Sequence, residues 1–221
     1  MMMNYFNIFD PSTNNFILNW ISSILGIFIL PQLYWMNFSR LMIIFNNLLS
    51  TLFNEFKLLL IFKFNYFNLI YFLTLFFMLL LNNFLGLFPF IFTSSSHLVF
   101  SLYLSLSLWL SMMLFGWMKN YEFMFIHLVP MNTPFMLMFF MVMIETLSNL
   151  IRPLTLSVRL VANMIAGHLL LVLLSSFIPD WKFYLLFLFI QLLLMGLEFM
   201  VSLIQSYVFS ILLILYLKET N

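Results

Sequence analysis

The chain has 221 residues, 65% of them apolar and 7% charged, with a formal net charge of +1 and a mean hydropathy of +1.12. A water-facing surface needs far more charge, which excludes a soluble globular fold, and long unbroken apolar runs exclude the short alternating segments of a membrane β-barrel. The fold class left is all-α: a polytopic membrane protein with about five embedded helices, forming a single membrane domain over residues 1–221.

The amino terminus, "MMMNYFNIFDPSTNN", has neither the basic start of a signal peptide nor the Arg-rich character of a transit peptide. A composition with 31 Phe, 18 Met and only two Ala fits codon drift in an AT-rich genome, as in small organelle genomes. Spans follow from length, because a hydrocarbon core of about 30 Å takes roughly 20 helical residues. Residues 15–30 are a short first span closed by Pro31. Residues 31–65 hold Arg40, Glu55, Lys57 and Lys63 among apolar residues and read as an interfacial amphipathic stretch. Residues 66–92 and 98–118 are two further spans, and 119–132, with Lys119, Glu122 and His127, is a second interfacial piece. Thr133 is a candidate N-cap with Pro134 at the first helical position.

From 134 to 178 the apolar pattern is nearly continuous and longer than an upright crossing needs. Either Pro153 divides it or one kinked helix lies steeply tilted. Asp180 is a candidate N-cap for the last run, 181–217, which is again too long to stand upright. The two form a long tilted hairpin. With five crossings, Arg40, Lys57, Lys63, Lys119 and Lys218 fall on one side and Lys182 on the other, which puts the amino terminus outside and the carboxyl terminus inside.

Charge inside the hairpin is the chemical signal. An arginine near the bilayer centre costs about 2.5–3.5 kcal/mol and cannot shed its proton, so it marks an ion path or a buried partner. Glu145, Arg152 and Arg159 are seven residues apart and share one helical stripe, drifting about 20° per step. Ala162, Asn163 and Ala166 continue the Arg159 face, and these alanines are the chain's only two. With Gly167 beside them, they suggest a face trimmed for close approach by another helix. His168, nine residues past Arg159, falls on the opposite face about 13 Å further along. On the last run, Glu198, Ser202, Gln205 and Ser206 form a second polar stripe. His168 and Glu198 on two hairpin arms, away from the fixed cation, read as a proton path approaching a barrier.

The residues also exclude chemistry. Without cysteine there are no disulfides or thiolate sites, and His97, His127 and His168 are too far apart in sequence for a local metal motif. No Gly-rich phosphate loop and no basic patch points to nucleotide or nucleic acid, and no cofactor is implied. His97 and His127 read as interfacial and inert.

"SVRLVANMIAGHLL" (157–170) and "LIQSYVFSILLILYL" (203–217) resemble the two signature helices of subunit a of the rotary F-type ATP synthases, in their mitochondrial form. The resemblance implies that Arg159 is the stator arginine, flanked by Asn163 and Gln205. It further implies that His168 and Glu198 occupy paired half-channel positions and, more loosely, that Glu145 belongs to the matrix-side half-channel. No catalytic role carries over to Arg152, which reads as structural or paired with Glu145. The implied setting is the mitochondrial inner membrane, with an organelle-encoded chain, its amino terminus in the intermembrane space and its carboxyl terminus in the matrix. The implied partners are protons, a ring of small carboxyl-bearing membrane subunits, peripheral-stalk and small membrane subunits, and the bilayer. Nucleotide chemistry belongs to other chains. A self-contained proton-coupled secondary transporter is the rival, and it would show inverted repeats that the two unlike halves lack.

Overall fold

A computed structural model describes residues 5–12, 17–30, 39–60, 66–88, 90–129, 134–176 and 184–220. Seven helices occur among them: α1 (Leu18–Ile29, opening with a 3-10 turn), α2 (Arg40–Leu59), α3 (Tyr66–Gly86), α4 (Leu98–Lys119), α5 (Tyr121–His127), α6 (Phe135–Ser176) and α7 (Tyr184–Thr220). Two short 3-10 turns, Tyr5–Phe9 and Ser94–Ser96, complete the described secondary structure, which contains no strand.

Four helices, α3, α4, α6 and α7, are long and apolar enough to cross a membrane. The first predicted span is shorter: α1 has 12 residues, about 18 Å. It lies against the second half of α3. Ser22 Oγ donates to the Phe92 carbonyl at 2.8 Å, Trp20 packs on Phe92, and Gly26 sits against Leu81, so α1 runs antiparallel to α3. The span predicted to reach residue 92 ends as α3 at Gly86, where turns lead through Phe90, with φ of +71°, to the buried Thr93–Ser96 segment. Thr93 Oγ1 donates to Ser96 Oγ, which in turn donates to the Thr93 carbonyl and closes the turn, while the buried Ser95 hydroxyl between them has no partner among the described residues.

α6 and α7, at 42 and 37 residues, are about 63 Å and 56 Å long, roughly twice the thickness of the hydrocarbon core. Pro153 lies inside α6 without dividing it. Proline removes the donor that would bond the carbonyl four residues earlier, yet the helix runs on through the buried Pro153. α6 begins at Phe135, so Pro134 stands just before its first helical residue, and the Pro134 carbonyl accepts from the Leu137 amide. The proposed caps Thr133 and Asp180 lie outside the described residues. In the stretches read as interfacial lie α2, capped by Ser39 Oγ accepting from the Met42 amide, and the short α5.

α3 packs chiefly against α7, α4 against α6, and α6 and α7 against each other; α2 leans on α3 and α7. The seams are built from small residues at helical spacing: Ser101, Ser105 and Gly116 on α4, Ser157 and Gly167 on α6, Ser202, Ser206 and Ser210 on α7. Lipid is as apolar as leucine, so helices in a bilayer associate through close packing, which small residues permit. Each of these six buried serines donates its hydroxyl to the carbonyl three residues earlier on its own helix. These six serines are therefore satisfied within their own helices, and none of their hydroxyls bonds across a seam. Phe56 from α2, Leu69, Phe72 and Leu79 from α3, and Leu213 and Ile214 from α7 fill the largest apolar cluster.

Candidate functional site

The polar residues of the hairpin sort into three places. On the outside of α6, Ile151, Thr155, Val158, Arg159, Ala162, Ala166, Leu170 and Leu173 are all exposed and, apart from the adjacent pair Val158 and Arg159, follow one another at three- or four-residue intervals. This stripe is covered by no other described part of the chain. Arg159 stands in its middle, and among the described residues it has no ion pair. Ala162 and Ala166 are exposed on the same stripe. Gly167 does not belong to this face: it is buried on the inner side of the hairpin, so the small residues of the 162–167 segment divide between two faces.

Inside the hairpin, Gly167 makes room for Glu198. A Cβ at position 167 would stand 2.7 Å from the Glu198 carboxyl carbon and 2.8 Å from its Oε1. The carboxyl group thus rests on the α6 backbone next to His168, which places the predicted His/Glu pair on facing arms at one level. Neither Glu198 oxygen has a hydrogen-bond partner, although the residue is buried. A cavity of about 280 Å³ joins Glu198 to Asn163, Gln205, Ser202 and, from α3, Asn83, whose Oδ1 is also buried and unpartnered.

His168 opens into a second, larger cavity of about 920 Å³, lined also by Asp10, Ser12, Asn19, Ser175 and Gln191. The Gly86 backbone is its hydrogen-bond partner, Phe9 meets its ring edge-on with centroids 6.1 Å apart, and its Nε2 is without a partner. Leu87 lines both cavities. His168 and Glu198 therefore occupy adjoining compartments.

Toward the carboxyl end of α7, a third cavity of about 370 Å³ is lined by Glu145, Asn149, Arg152, Tyr216, Glu219 and His127 among others. Arg152 hydrogen-bonds Glu219, lies 3.9 Å from Glu145 and stacks its guanidinium over the Tyr216 ring at 5.1 Å. The expected Glu145–Arg152 pairing is present, with Glu219 as a closer partner that sequence reasoning missed.

Asp10, Asn19, Gln191 and Asn83 were also missed. For Asn83 a signal exists: two consecutive asparagines inside an otherwise apolar span are costly unless they meet polar partners. For Asp10 no local pattern points to the hairpin. His97 is not a loose interfacial side chain, since its ring packs on Trp20 and Phe92 and its Nε2 is buried without a partner.

The fold and these three places define a class: a helical membrane protein whose intramembrane polar groups line cavities on both sides of an exposed, unpaired arginine. Comparison of sequences narrows this. Residues 16–218 match the profile of the ATP synthase A chain family. The chain is 53% identical over 226 residues to ATP synthase subunit a of Anopheles gambiae and 52% identical over 224 residues to that of Drosophila melanogaster. The same protein of Aedes aegypti is 52% identical over 226 residues, and all three alignments cover the whole of both chains. The chain belongs to the ATP synthase A chain family.

Proposed function

We propose that this chain is the fixed proton-conducting subunit of the membrane sector of a mitochondrial F-type ATP synthase. The observation that carries the reading is Arg159, a permanent charge without an ion pair among the described residues, on an exposed, mostly apolar face thinned by two alanines. A guanidinium facing lipid alone costs a few kcal/mol, so such a face calls for an acidic partner from another chain. A ring of small subunits, each with a mid-membrane carboxyl, is the partner that fits.

As the ring turns, Arg159 holds the passing carboxylate in its charged form and blocks direct proton transfer between the two sides. One half-channel runs through the His168 cavity, with Asp10, Ser175 and Gln191, and on to Glu198, Asn163 and Gln205. The other is the cavity of Glu145. A proton crossing 100 mV releases about 2.3 kcal/mol, which drives rotation. A count of five crossings, the first over residues 15–30, together with the side on which the basic residues gather, supports an amino terminus and a His168 cavity facing the intermembrane space.

The test is Arg159→Ala in the assembled complex. ATP-driven proton pumping should vanish while the subunit remains in the complex; pumping at the normal rate would refute the assignment.

A further inference from the structure

Arg152 presents a difficulty for any mechanism built on Arg159. It lies on the same helix, seven residues and about 10.5 Å away, and nearly the same stripe. A second unpaired guanidinium there would offer the moving carboxylate a rival resting place. The surroundings of Arg152 remove that rivalry. Glu219, in the last turn of α7, hydrogen-bonds its Nη1; Glu145, two helical turns earlier on α6, lies 3.9 Å from its Nη2; and Tyr216 lies under its guanidinium plane. Glu219 is 67 residues away in sequence, so α7 must be fully docked before this partner arrives.

We infer that Glu219 is a positioning residue that neutralises Arg152, leaving Arg159 as the sole attractive charge for the ring carboxyl and leaving Glu145 only loosely held. The inference rests on the function proposed above. Glu145 touches the cation at the outer limit of an ion pair, and Glu219 takes the directed hydrogen bond. Without Glu219, the cation is free to close on Glu145 or turn outward toward the ring.

The experiment compares Glu219→Gln, Arg152→Gln and the double substitution in complete ATP synthase in inner-membrane vesicles. Proton pumping and ATP hydrolysis are each normalised to the amount of the chain assembled. Glu219 is partly exposed in a terminal turn, so its substitution leaves the core intact. Glu219→Gln should lower pumping per complex by about five-fold or more, with the ratio of protons to ATP unchanged, because a competing charge slows rotation without opening a leak. The double substitution should recover most of that loss, since the rival cation is gone as well. Three results overturn the inference: unchanged turnover in Glu219→Gln, a loss confined to the amount assembled, or a double variant as slow as the single one. The last two would make the pair a tether between helices. Arg159→Ala in the same vesicles separates the two ideas: if it pumps normally, the function itself is wrong, whatever the Glu219 variants do.

Discussion

Arg152 and Arg159 share a helix and nearly a stripe, and their surroundings are opposite. Around Arg152, two carboxylates and an aromatic ring compensate the charge. Around Arg159, the described residues supply two alanines and no ion-pairing anion, while more than two turns beyond, Glu198, His168 and Asn83 keep buried polar atoms without partners. The lower end of the hairpin is electrostatically finished and the upper part is not. Unsatisfied polar groups cost free energy, so a region that retains them fits the proposed function, in which its partners come from outside the chain.

Breaking the unfinished region should cost far more than breaking the finished one. Arg159→Ala should reduce pumping by roughly a hundred-fold or more, the rate equivalent of a term near 3 kcal/mol, whereas Arg152→Gln should cost only a few-fold. Equal losses at the two sites would end the contrast. Ala166→Phe should come next, reducing turnover about ten-fold or more by holding the partner helix away from Arg159, with Ala166→Ser close to the parent. Activity of Ala166→Phe at the parental level would mean that nothing approaches this face closely.

The His168 and Glu198 compartments adjoin, so each single loss should slow proton entry about ten-fold, and exchanging the residues should recover more than either single change. Purely additive losses in a double-mutant cycle of proton flux would place them on separate routes. The smallest effects concern two glycines. Gly167→Ala should displace the Glu198 carboxyl and lower flux several-fold with little change in assembly, because the atoms it meets are the far end of a flexible side chain. Gly196→Ala, with nothing within 4 Å, should leave flux unchanged and raise thermal stability by up to about 1 kcal/mol. A reversed order, with Gly196→Ala the more harmful, would show that the inner face of the hairpin is misassigned.

Much of this arrangement is legible in the sequence, for identifiable reasons. Apolar length predicts long membrane-crossing helices, and four of the described helices are long and apolar enough to cross, since a bilayer imposes its thickness on any span. It fails past Gly86, where the described residues 87–88 and 90–92 are apolar yet lie outside any helix, because hydrophobicity alone carries no information on where a helix stops. The stripe of Arg159, Ala162 and Ala166 is readable because helical periodicity is local. The pairing of Arg152 with Glu219 and the seat of Glu198 on Gly167 are not, because each joins residues on different helices. Sequence spacing has no access to how two helices are rotated against each other.

The serines of the helix seams bear on how such a chain is made. Each of the six hydroxyls is closed on its own helix before any neighbour arrives. These six serines can therefore enter the bilayer during synthesis with their hydroxyls already bonded, none of them waiting in hydrocarbon for a later helix, while Asn83 and Glu198 carry the polar atoms left without a partner among the described residues. Docking then becomes a sorting by shape, reversible until the correct grooves meet. The order in which the spans emerge need not match the order in which they pack, and α3 can wait for α7, more than a hundred residues downstream.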